Sequence, residues 1–145
     1  MLVSEIQTFD ECIDAEIHMR AKESPKAPRT RHYRAVENGT EIGFLALDII
    51  PDMDYLVLYE LFVPTAQRRR GFGSRLLEEV EKIAVGLGYV QVNLTPWPLE
   101  DGISEEELVR WYKARGYGER PDCPDELQKT LGHDFPSSVG TSAKE

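Results

Sequence analysis

Residues Gln67–Leu77 read QRRRGFGSRLL: three consecutive arginines, a Gly-x-Gly, then a serine that opens an apolar segment. Three readings compete for this stretch: a basic patch for nucleic acid, a loop that holds a phosphate, and a surface turn with charged neighbours. Its flanks narrow the choice. Before it, Tyr55–Val63 is a nearly all-apolar run ended by Pro64, the pattern of a buried strand. After it, Leu76, Leu77, Val80, Ile83, Ala84 and Leu87 recur along one helix face, and Gly86 and Gly88 supply the stop. The stretch is thus a strand-to-helix junction. There the first helical N–H groups lack partners and the helix dipole is positive, so an anion fits. Gly71 and Gly73 let the backbone turn sharply and approach a phosphate closely, while Arg68, Arg69 and Arg70 add positive charge. Neither standard nucleotide pattern is met. G-x-x-x-x-G-K-[ST] is absent, and Leu76 stands where a dinucleotide loop has its third glycine. Taken alone, a glycine turn with solvated arginines explains the residues equally well.

Further out, Leu2–Gln7 reads as a short strand, and Asp10 precedes Ile13, Ile17 and Ala21 at helical spacing, which predicts a helix through about Lys22. ESPKAPRTR is a proline-broken loop. Arg34–Glu37 and TEIGFLALDII form a hairpin around Asn38-Gly39, a pair suited to a turn with positive φ at both positions. YVQVNLT alternates as a strand and PWPLEDG is a loop. Ser104 and Glu107 make a capping box for a helix through Leu108, Trp111 and Tyr112 to Gly116. A short strand is expected over Glu126–Leu131, and a frayed tail over 136–145. The order β-α-β-β-β-α-β-α-(β) predicts one α/β (α+β) domain over residues 1–145.

At 145 residues the chain can bury one sizeable core. Its net charge of −9 is the wrong sign for a general nucleic-acid binder, so no nucleic-acid partner is expected. Cys12 and Cys123 stand far apart, which predicts two free thiols in a reducing cytoplasm. MLVSEIQTFDE lacks the pattern of a signal peptide, and no apolar run reaches membrane-spanning length. A cytoplasmic protein with no membrane partner is the expectation. His18, His32 and His133 are scattered, so no metal site is expected.

The longer stretch LYELFVPTAQRRRGFGSRLLEEV resembles the acyl-CoA signature of the GNAT superfamily of N-acyltransferases. The family's R/Q-x-x-G-x-G/A motif corresponds to Arg68-Arg69-Arg70-Gly71-Phe72-Gly73. WYKARGY, Trp111–Tyr117, resembles the family's second landmark, a tyrosine followed four residues later by glycine and an aromatic. The resemblance covers roughly residues 32–131. It implies a mixed, mostly antiparallel sheet flanked by helices, with the fourth and fifth strands splayed to admit CoA. It also implies that Leu61, Phe62 and Val63 meet the pantetheine arm, Phe62 and Val63 pairing with it through their backbone. The N–H groups of Arg70, Gly71, Phe72, Gly73 and Ser74 would cradle the CoA diphosphate, with Arg68 and Arg69 beside them. One departure stands out: many relatives carry asparagine seven positions before the tyrosine, and this chain has Glu105. The capping helix start explains Glu105, and that cofactor contact is absent from the expected set.

Acyl transfer to an amine requires that the amine lose a proton, the thioester carbonyl be polarised and the leaving thiolate be protonated. Tyr112 matches the family's tyrosine, a neutral phenol able to protonate the sulfur; its rival reading is a core aromatic. Glu60 is the only charged residue in Tyr55–Val63, and burial would raise its pKa toward that of a useful base. Its rival reading is a structural ion pair with a nearby arginine. Asp48, Asp52, Asp54 and Tyr59 are weaker candidates. Trp97 either flanks the acceptor or packs, and LEDGISEEE is a solvated helix start that would also attract a cationic acceptor. The resulting expectation is an acetyl-CoA-dependent N-acetyltransferase acting on a primary amine: a polyamine, an amino acid, an antibiotic-like amine or a protein amino group. The rival functions are a non-catalytic acyl-CoA-binding module and a nucleic-acid binder using Arg68–Arg70, the latter opposed by the net charge. A homodimer is compatible with the family.

Overall fold

The computed structural model describes residues 1–100 and 102–132. The described elements are β1 (Leu2–Ile6), α1 (Ala15–Glu23), β2 (Thr30–Glu37), β3 (Thr40–Asp48), β4 (Tyr55–Phe62), α2 (Phe72–Gly86), β5 (Gln91–Leu94), α3 (Glu105–Lys113), β6 (Gly118–Arg120) and β7 (Cys123–Thr130). The seven strands form one sheet in the order β1-β2-β3-β4-β5-β7-β6. Only β4 and β5 run parallel; the remaining pairs are antiparallel. This is the mixed, mostly antiparallel sheet that the motifs imply. The expected tail over 136–145 and His133 lie outside the described residues.

Local chemistry accounts for most boundaries. Asn38 and Gly39 take φ of 51° and 81°, the left-handed pair that a tight hairpin between β2 and β3 requires. The predicted helix from Asp10 is corrected. Phe9–Glu11 is a single 3₁₀ turn, and α1 starts only at Ala15, capped by the Asp14 carboxylate. The chain is held out of helix between them because the Glu41 carboxylate accepts the N–H groups of Ile13 (2.8 Å) and Asp14 (2.6 Å). Ile13 is consequently 85% exposed rather than on the buried face. Strand β6 is absent from the sequence reading because three residues are too few for alternation to register.

Two apolar layers sandwich the sheet. Leu45, Leu47, Leu56 and Leu58 meet Leu76, Leu77 and Val80 of α2 and Tyr112 of α3 on one face. Phe44 and Ala46 meet Ile17 and Ala21 of α1 on the other. A bulge interrupts β4 between these layers. Leu47 stands opposite Leu58 and Ala46 opposite Glu60, so Tyr59 is the extra residue. It moves Glu60 off the face of Leu58 and onto the α1 side.

The same region opens a wedge. Strand β5 pairs with β4 only as far as Leu58–Leu94. Pro96 and Pro98 follow, and neither has an N–H with which to continue a ladder. The last residues of β4 therefore run on without a strand partner on that side, which is the expected splay of the fourth and fifth strands.

Helix α2 approaches the sheet closely at Gly43, where an added Cβ would lie 2.4 Å from Cδ1 of fully buried Leu76. A Gly43→Ala change should lower stability by about 1–3 kcal/mol through overpacking, read as a shifted midpoint in urea unfolding. An unchanged midpoint would show that α2 packs less tightly here.

Candidate active site

The wedge is a cleft of about 490 Å³ bounded by β4, the first turn of α2, the β5–α3 connection and α3. Leu61, Phe62 and Val63 line one wall, Gly71 to Ser74 the floor, and Trp111, Tyr112 and Arg115 the opposite wall. Arg68 and Arg69 also border it, whereas the Arg70 side chain does not. Arg70 is exposed and, among the described residues, reaches the Gln67 amide oxygen alone, at 3.4 Å.

The floor is a helix start built without a side-chain cap. Gly71 occupies the N-cap position with φ of 79°, and among the described residues no side chain caps the first helical N–H groups. The residues of this turn line the cleft, at the positive end of the helix dipole. Gly73 serves a different need: a Cβ there would lie 3.3 Å from the Trp111 ring, so its absence lets α3 lie against this turn. Arg115 completes the contact. Its Nε donates to Ser74 Oγ (2.9 Å), one Nη donates to the Trp111 carbonyl (2.8 Å), and its guanidinium lies 4.0 Å from the Trp111 ring centroid. Arg68 is engaged elsewhere, donating through Nε to the Val63 carbonyl (2.9 Å) and pairing with Glu100.

Tyr112 is buried, edge-on to Trp111 at 4.9 Å and to Tyr117 at 5.6 Å. Burial holds its phenol above the ordinary tyrosine range, so it stays a neutral donor at physiological pH. Behind it, the Tyr117 hydroxyl donates to Glu81 (2.9 Å), and Lys129 pairs with the same buried carboxylate at 3.1 Å. This network fixes the aromatic wall.

Glu60 is 7% exposed, and its Oε1 lies 3.6 Å from Arg20 Nε on α1. Neither atom has a hydrogen-bond partner among the described residues. Burial raises the carboxyl above its usual range, and the Arg20 charge opposes that shift. The rival ion pair of the sequence reading thus has a geometric basis, with Arg20 of α1 in place of the loop arginines. Glu60 also borders the cleft, so the same residue touches both.

The weaker candidates separate. Tyr59 borders the cleft and is 41% exposed. Asp48, Asp52 and Asp54 do not line it, and Asp48 accepts the Thr30 hydroxyl at 2.6 Å. Trp97 borders the mouth at 66% exposure. Glu105 lies exposed in the first turn of α3, where Ser104 and Glu107 cap each other's backbone at 3.0 Å. Cys12 and Cys123 are both free. Trp111 and Arg115 are the site residues that sequence reasoning missed. Their signal was the i,i+4 spacing within WYKARGY, although Arg115 falls in the turn just past α3.

A family description, Acetyltransferase (GNAT) domain, matches residues 28–119. No curated protein sequence matches the chain. Among solved structures, the ribosomal-protein-S18-alanine N-acetyltransferase from Escherichia coli is similar at 17% identity and a TM-score of 0.63, covering 92% of this chain and 97% of its own. The PaiA N-acetyltransferase from Thermoplasma acidophilum, solved with coenzyme A, is similar at 22% identity and a TM-score of 0.53, covering 69% of this chain and 60% of its own. A KacTA–DNA complex contains a chain similar at 12% identity and a TM-score of 0.63, covering 89% and 92%. At these identities the structures establish the shared fold. With the family match over most of its length, the chain belongs to the GNAT acetyltransferases.

The burial of Tyr112 has a spectroscopic consequence. In an alkaline absorbance titration of the six tyrosines, Tyr112→Phe should remove no transition near pH 10, where exposed phenols ionise. Loss of a transition there would mean that the phenol is open to solvent.

Proposed function

We propose that the protein is a single-domain N-acetyltransferase, spanning residues 1–145, that moves the acetyl group of acetyl-CoA to a primary amine by direct attack. The observation that carries this reading is the meeting of the open β4 edge, the uncapped first turn of α2 and the neutral Tyr112 phenol in one cleft. The first turn suits a diphosphate, the free β4 edge suits the amide groups of pantetheine as a strand-like partner, and the cleft volume accommodates the arm between them.

Acetyl-CoA supplies an activated acyl carbon; the protein's residues manage protons and position. Glu60, directly or through a water, takes the proton of the incoming ammonium. The amine nitrogen then bonds to the acyl carbon as the carbon–sulfur bond breaks, and its second proton passes through water to restore the phenol that protonates the sulfur. Tyr112 gives its proton to the departing thiolate, and a phenol held in its neutral form is suited to that step. The acceptor is a small amine or a protein amino group. Two unpaired thiols suit a reducing cytoplasm. The net charge of −9 favours a cationic acceptor over nucleic acid.

Thiol release from acetyl-CoA across a panel of primary amines tests the reading. An active amine should lose turnover by roughly 10²-fold or more in Tyr112→Phe, with acetyl-CoA affinity retained, as expected for a general acid. Full turnover in that variant rules out the acid role. For Glu60 the sign follows from its raised pKa: activity should fall as pH drops through a value above 4.5, and Glu60→Gln should lose that acidic limb along with most activity. An unchanged profile assigns Glu60 to the Arg20 pair alone. Acetyl-CoA binding without thiol release for any amine would instead make the protein a non-catalytic acyl-CoA-binding module.

A further inference from the structure

Arginines crowd the first turn of α2, yet most have other commitments. Arg68 is tied to Glu100 and the Val63 carbonyl. Arg75 forms a two-bond pair with Glu37 at 2.8 and 3.2 Å. Arg69 and Arg70 are exposed to solvent. Arg115 differs from all of them. It is half-buried in the cleft wall, and no carboxylate pairs with it among the described residues. Its hydrogen-bond partners are a serine hydroxyl and a carbonyl, both neutral.

A guanidinium that is partly withdrawn from water and lacks a counter-charge costs free energy unless something anionic joins it. Its geometry is nevertheless fixed, by stacking on Trp111 at 4.0 Å and by two hydrogen bonds of 2.9 and 2.8 Å. One of those bonds ends on Ser74, in the same turn whose N–H groups have no side-chain cap. Because Ser74 Oγ accepts from Arg115, its own hydroxyl hydrogen is left to donate. A preorganised fork, a hydroxyl donor and free amides therefore converge at one point.

We propose that Arg115, in the turn that follows α3, is the cationic ligand of the cofactor's diphosphate and ties the end of α3 to the first turn of α2; this rests on the acetyl-CoA reading above. The positive charge at the phosphates then comes from the turn after α3 more than from the arginine run of the loop. Gly73 is part of the device, since its missing Cβ lets Trp111 carry the guanidinium over the turn. The diphosphate is chosen over the 3′-phosphate because Arg115 is anchored on Ser74, beside the free amides.

Calorimetric titrations with CoA, dephospho-CoA and pantetheine separate the phosphates. Arg115→Gln should weaken CoA and dephospho-CoA by the same factor, roughly 10- to 100-fold, and leave pantetheine unaffected. Arg115→Lys should recover part of the loss, since it keeps the charge without the fork. If Arg115→Gln does not fold, the Lys variant carries the comparison alone, with a smaller, equal loss on both phosphorylated ligands. Unchanged CoA affinity in folded variants overturns the proposal. So does a loss confined to CoA, which would assign Arg115 to the 3′-phosphate. Wild-type protein that binds no CoA overturns the acetyl-CoA reading itself, an outcome distinct from either of these.

Discussion

The parallel pairing of β4 with β5 stops at Leu94, and the cleft beside β4 depends on that stop. Backbone N–H and C=O groups at the edge of an internal strand demand partners. With Pro96 and Pro98 following β5, the chain cannot supply them, and the bulge at Tyr59 turns β4 further from its neighbour. The sheet is continuous at one end of the pair and open at the other. An interior edge becomes a surface without exposing the core beneath it. One of its carbonyls, that of Val63, is already claimed by Arg68.

The opening is useful only because the elements around it are rigid. Helix α2 is anchored by Leu76, Leu77 and Val80 against the sheet, which fixes where its uncapped first turn points. Helix α3 is short and would be marginal alone. It is held by the packing of Trp111 on Gly73, by the Arg115–Ser74 bond, and by Tyr112 against Tyr117. Tyr117 is in turn fixed by Glu81 and Lys129. The phenol proposed as the acid and the turn proposed for the phosphates thus belong to one packed unit.

Much of this was legible in the sequence where chemistry is local. The strand–loop–helix around RRRGFG, the Asn38-Gly39 hairpin and the Ser104–Glu107 capping box each announce themselves through neighbours a few residues away. What escaped depends on distant partners. Glu41 pulls Ile13 and Asp14 out of helix from 28 and 27 residues away. Arg115 meets Ser74 across 41 residues, and Arg68 meets Glu100 across 32, so no reading of the arginine run could allocate its charges. The direction of Glu60 was hidden for a subtler reason. Alternation would place it with Leu56 and Leu58, and only the register shift reveals that it faces Arg20.

The central claim is that the wedge between β4 and the first turn of α2 receives acetyl-CoA. Calorimetric titration of the wild-type protein with acetyl-CoA, beside a variant carrying both Gly71→Val and Gly73→Val, tests it most directly. The account predicts saturable one-to-one binding by the wild type and its loss in the variant, which blocks the left-handed turn and the approach of Trp111. Folded wild-type protein that takes up no heat from acetyl-CoA, or a folded variant that binds as tightly as wild type, would contradict it.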